Sequence, residues 1–100
     1  MKINSKQKKH LKGLAHKLKP VVYIGQHGLS EAVIKSVDEA LNDHELIKIK
    51  FNEFKEKTQK NEISREIEKK TGAAQVGMIG HVVTFYRRHS DPDKRIIDVP

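Results

Sequence analysis

A chain of 100 residues has room for one domain with one modest core, and its 20 Lys and Arg against 13 Asp and Glu leave a formal charge of +7. That excess is the electrostatic footprint of a polyanionic partner, nucleic acid above all. The lack of cysteine excludes disulfides and thiolate metal sites, and with no apolar leader and no run of about 18 apolar residues the chain reads as cytoplasmic, with no membrane partner.

From Ser5 to Leu18 the apolar residues Leu11, Leu14, Ala15 and Leu18 recur at i, i+3, i+4 and i+7, one stripe of a helix. Ser5 is the expected N-cap and Pro20 the stop. Lys8, Lys9, Lys12, His16 and Lys19 would then follow one flank of this helix. The apolar run Val21-Val22-Tyr23-Ile24 reads as a strand that feeds directly into Gly25-Gln26-His27-Gly28. Two residues later a second helix opens, with Ser30 as N-cap and Val33, Ile34, Val37, Ala40 and Leu41 as its apolar stripe. Its polar side is acidic, with Glu31, Asp38, Glu39 and Asp43 opposed only by Lys35. Leu46 to Phe51 alternates with period two, which puts Ile47, Ile49 and Phe51 on a buried face and Lys48 and Lys50 on the other. A polar connector from Asn52 to Gln59 leads to a third helix starting near Lys60 or Asn61, carrying Ile63 and Ile67 and closed by Gly72. Ala73–Ile79 and Val82–Arg87 read as strands joined at Gly80-His81, a two-residue hairpin with glycine first.

The order α-β-α-β-α-β-β predicts an α/β two-layer sandwich, with a four-stranded mixed sheet and its helices on one face. One domain spans residues 1–100, with a core over about 5–88 and a charged tail over 89–100 that reads as extended.

The glycine loop carries the main functional signal. Glycines let a backbone approach a ligand closely, and the first amides of a helix lack intrahelical partners and favour negative charge. A GxxG string is weak by itself. Gly77-Met78-Ile79-Gly80 is a second instance, at an expected strand and hairpin turn, and reads as structural. The first instance stands where amides can converge on phosphate, as in the GxxG loop with which KH modules clamp a nucleic-acid backbone. Nucleotide cofactors are disfavoured: the chain has neither GxxxxGK followed by Ser or Thr nor GxGxxG after its first strand. Its histidines, His10, His16, His27, His44, His81 and His89, make no HExxH motif and read as non-metal, and no nucleophile and base stand in a recognisable arrangement. No cofactor, small-molecule substrate or catalytic residue is expected. With only five aromatics and no Trp, the stacking sheets of RRM or OB modules are disfavoured; Tyr86 is the aromatic that could stack on a base beside Lys48 or Lys50.

Several of these strings together resemble a known family. Lys12-Gly13-Leu14-Ala15-His16, Lys19-Pro20-Val21-Val22, Ile24-Gly25-Gln26-His27-Gly28-Leu29-Ser30 and His44-Glu45-Leu46-Ile47-Lys48 are similar to the CRM (chloroplast RNA splicing and ribosome maturation) domain, as are the later Ile79-Gly80 and Phe85-Tyr86-Arg87. The resemblance covers about residues 5–88 and is closest to bacterial stand-alone, single-domain members. It implies a fold similar to the C-terminal domain of translation initiation factor three, RNA as partner, and association with large-subunit ribosomal precursors. It also implies that Gly25, Gln26, His27 and Gly28 contact RNA. The loop tip lacks the lysine often found there, so more of the attraction falls to Lys8, Lys9, Lys12 and Lys19. The expected function is non-enzymatic RNA binding that assists large-subunit maturation. The alternative is an adaptor that reaches the ribosome through a ribosomal protein, using the acidic second helix or the open sheet face.

Overall fold

The computed structural model describes residues 2–100; Met1 lies outside them. Its elements are α1 (Ser5–Ala15), β1 (Pro20–Ile24), α2 (Glu31–His44), β2 (Leu46–Phe51), α3 (Lys57–Thr71), β3 (Ala74–Ile79) and β4 (Val82–Tyr86), followed by a 3-10 turn at Pro92–Lys94. This is the α-β-α-β-α-β-β order that periodicity predicts.

The helix ends differ from expectation for local reasons. Asn4 caps α1 in place of Ser5: its side chain accepts from the Gln7 amide at 2.8 Å, and the Gln7 side chain accepts from the Asn4 amide at 2.9 Å. Asn and Ser cap about equally well, and the reciprocal glutamine selects Asn4. The helix stops at Ala15, short of Leu18, because the chain tightens into an i→i+3 turn in which the Leu18 amide donates to Ala15 at 2.9 Å. Only Leu11 and Ala15 of the predicted stripe are buried; Leu14 and Leu18 are exposed. Helix α2 is capped as expected, the Ser30 hydroxyl accepting from the Val33 amide at 3.2 Å. Helix α3 begins at Lys57, earlier than Lys60, where the Glu56 amide donates to the Gln59 side chain at 3.4 Å. It closes on Gly72, whose φ of +75° suits a residue without Cβ.

The sheet order is β1-β2-β4-β3. β1 pairs parallel with β2, while β4 is antiparallel to both its neighbours. Alternation sorts the side chains to two faces. Val22, Ile24, Ile47, Ile49, Val83 and Phe85 face α2 and α3 and form the main core. The opposite face is buried only at one end, where Leu46, Val76 and Tyr86 pack against Leu11 and Ala15 of α1. Helices therefore lie on both faces, and the layers number three where the expectation placed all helices on one face. The apolar residues of opposite parity, Leu46 and Tyr86, are what draw α1 across. Tyr86, expected on an open face, is 2% exposed beneath that helix.

The tail is also anchored where an extended segment was expected. Ile97 and Val99 pack on the α1 cluster, the Gln7 side chain donates to the Pro100 carbonyl at 3.0 Å, and His10 Nε2 lies 2.9 Å from the Asp98 carbonyl. The anchor is Glu45, the C-cap of α2, a non-glycine residue at φ +62° with a fully buried side chain. Its carboxylate accepts from the amides of His89 (2.7 Å), Ile96 (2.6 Å) and Ile97 (2.9 Å). Burial alone would raise this carboxyl, but the three amides and the nearby His89 ring outweigh burial and hold it below its ordinary 4.5.

Arg87 ties the elements at that same end. Its guanidinium donates to Asp38 Oδ1 at 2.6 Å, to the Asn42 side chain at 2.9 Å and to the Thr71 carbonyl at 2.8 Å, joining β4 to α2 and α3. Among the described residues no helix is long and apolar enough to cross a membrane.

Candidate functional site

The carboxyl ends of β1 and β2 gather three loops, the edge at which open α/β sheets commonly bind ligands. The connector after β2 is held there because the Asn52 and Glu53 amides both donate to the Ile24 carbonyl, at 2.9 and 3.2 Å. The β3–β4 hairpin is held by the Phe51 amide, which donates to the His81 carbonyl at 2.8 Å. Lys60 reinforces it from α3, donating to the Gly80 carbonyl at 2.6 Å with its side chain largely buried. Between these lies Gly25-Gln26-His27-Gly28, closed as a turn by the Gly28 amide donating to the Gly25 carbonyl at 3.0 Å.

The two glycines do different work. Gly28 is buried at φ +64°, and a Cβ there would stand 3.4 Å from the Phe54 ring. Phe54 itself holds a φ of +57°, strained for an aromatic residue, and presses its ring under the turn. Gly25 has no positive φ and nothing within 4 Å of a built Cβ. The expectation that the loop amides act together is narrowed accordingly. The Gly28 amide is spent within the turn, Ser30 donates to the Gly28 carbonyl at 3.2 Å, and Val33 is capped by Ser30. The amides of Gln26 and His27, two exposed residues at the tip, make no hydrogen bond with another described residue.

The four lysines proposed around the loop divide. Lys12 comes over the open half of the sheet, its stem lying where a Gly77 Cβ would be, 2.8 Å from Cε. There it shares a shallow depression with His16, Lys48, Met78 and Thr84. Lys8 lies one turn earlier on the same flank. Lys9 instead lines the tail side of α1, beside His10 and Pro100. Lys19 precedes β1 at the other end of the sheet from the loop, about 20 Å away at the rise of an extended chain. It borders an apolar groove of about 470 Å³ with Leu14, Leu18, Val21 and His44. Lys9 and Lys19 therefore do not share a surface with the glycine turn. Sequence reasoning missed Lys55, whose charge reaches the same end: desolvation, then Lys60, Lys55 and Lys50, hold His81 below its ordinary 6.5. These causes all disfavour the cationic form of His81. The signal available was position, since Lys55 stands in the connector directly after β2.

A mixed sheet with helices on both faces, a half-open lysine-bearing face and a glycine turn whose tip amides are unpaired define a small basic α/β domain. The chain belongs to the CRS1 / YhbY (CRM) domain family, whose model matches residues 3–87. It is 48% identical to an "RNA-binding protein" of Haemophilus influenzae over 85 residues, covering 85% of each chain. It is 33% identical to "Probable RNA-binding protein PA4753" of Pseudomonas aeruginosa over 99% of this chain and 94% of that one. The solution structure of the hypothetical protein SAV1595 from Staphylococcus aureus superposes with a TM-score of 0.82 at 29% identity, covering 99% of this chain and all of that one.

Proposed function

We propose that this chain is a non-enzymatic RNA-binding protein of the cytoplasm that grips ribosomal RNA during maturation of the large ribosomal subunit. Support comes from the names of its relatives and, in the molecule itself, from one observation above the rest. The unpaired amides of Gln26 and His27, two exposed residues, stand at the end of a sheet face lined by Lys12, Lys48 and Lys50. Amides at the tip hold phosphate without side-chain reorganisation, while the lysines supply attraction that acts over about a Debye length. Of the acidic residues of α2 only Glu31 stands in its first turn; Asp38 is occupied by Arg87, and Glu39 and Asp43 lie farther along the helix. RNA therefore meets the loop and the open sheet face, away from the α2 flank.

The test is gradient sedimentation of cell lysate at low and moderate salt, following the wild type and Gly25→Asp. Gly25 is the informative position because its surroundings accept a side chain without strain, whereas any residue at 28 disturbs the turn. Salt-sensitive comigration with large-subunit precursors, lost in the variant, is expected. If both proteins stay at the top of the gradient at every salt concentration, the ribosomal assignment fails. Binding of purified protein to naked RNA separates this reading from an adaptor that needs a ribosomal protein.

A further inference from the structure

Resting on the reading that this chain binds RNA, we infer that Tyr23, beside Lys50, forms a stacking subsite for an unpaired nucleobase on the open half of the sheet. Four side chains make one rung across all four strands there, since Tyr23 pairs with Lys50, Lys50 with Val82 and Val82 with Ile79. Neighbouring strands lie about 4.8 Å apart, so the rung is roughly 14 Å long and sits two residues before Gly25. Tyr23 is 53% exposed, whereas Phe51, Phe85 and Tyr86 are buried and Phe54 is half-covered under Gly28. Its ring lies back along β1, with the hydroxyl 3.5 Å from the Pro20 carbonyl. The far end of the rung is Ile79, 87% exposed. The next rung pairs Lys48 with Thr84 and Thr84 with Gly77, over which the Lys12 stem passes. Aromatic and aliphatic surface is thus interleaved with three ammonium groups, with no carboxylate on either rung.

That charge pattern selects the occupant. A flat apolar group attached to a polyanion fits the ring and the lysines together, and a nucleobase with its phosphates is such a group. A-form duplex buries its base faces and offers nothing to the ring, so the strand on this face is a loop, bulge or single-stranded segment.

The experiment titrates the full chain with a fluorescein-labelled 12-nucleotide oligoadenylate, and with a 12-nucleotide RNA whose central positions are abasic, following anisotropy and tyrosine emission. Tyr23→Ala should weaken oligoadenylate binding roughly tenfold and Tyr23→Phe should restore it. Neither variant should change the weaker binding of the abasic RNA, and oligoadenylate should quench wild-type emission. Circular dichroism and sedimentation of each variant establish that it is folded and of unchanged mass. Equal binding of oligoadenylate by wild type and a folded Tyr23→Ala overturns the subsite while leaving RNA binding intact. Failure of the wild type to bind either RNA at low salt overturns both readings. Loss of a dimer in Tyr23→Ala would make this face a contact between copies of the chain and overturn the subsite as well.

Discussion

Gly25 and Gly28 show how two identical residues in one motif differ in physical role. Gly28 needs a left-handed φ and has the Phe54 ring against it, so Gly28→Ala is expected to destabilise folding by about 1–2 kcal/mol, measured by urea unfolding. Gly25→Ala should be near neutral in the same assay; equal losses at both positions would contradict the assignment. Glu45 gives the second residue-scale prediction, and its sign follows from its lowered carboxyl. The stability it contributes is fully present above the unfolded-state value, close to 4.5, and is lost as pH falls through the lower folded value. Glu45→Gln should lower stability by about 2 kcal/mol at neutral pH, where it removes a charged acceptor from three amides. The gap between wild type and variant should narrow as pH falls below 4.5 and close only beneath the lower folded value. A gap of constant size down to acid pH would show that the charge of Glu45 is not what holds the tail.

At the scale of elements, the sequence was legible wherever a local pattern matched its burial. The Leu46–Phe51 alternation, the Ser30 cap, Gly72 and the Gly80 turn all stand where periodicity and capping chemistry put them. What was not legible depended on contacts between distant segments. Leu46 and Tyr86 read as members of alternating strands, and nothing local said that α1 would come back to cover them. The same holds for the candidate site: the turn was visible as glycines, but Tyr23 faces outward only because Val22 and Ile24 are the buried pair of β1. Lys19 looked adjacent to the loop in sequence, and the length of β1 separates them. Arg87 could be matched to a family string, yet its role as a tie among β4, α2 and α3 emerges only when those three ends meet. Arg87→Ala should therefore cost about 1–3 kcal/mol in thermal unfolding and leave RNA affinity of the folded protein unchanged. A tenfold loss of affinity with unchanged stability would instead place Arg87 in the interface.

Across the whole molecule, charge and shape divide the work. The net +7 attracts any polyanion from a distance, and Lys9 and Lys19 contribute to that field without sharing the loop's surface. In the proposed reading close recognition falls to one end and one half-face of the sheet, while the other end is closed by α1, the Glu45-anchored tail and the Arg87 tie. The most direct measurement of this account is the affinity of the purified chain for ribosomal RNA across a salt series. With about four to six phosphates neutralised, log affinity should fall against log salt with a slope of roughly −3 to −5. Gly25→Asp should lower affinity at least tenfold at each salt concentration. A slope near zero, or a Gly25→Asp protein that binds like the wild type, would contradict the claim that lysines and an open glycine turn hold RNA phosphates on this surface.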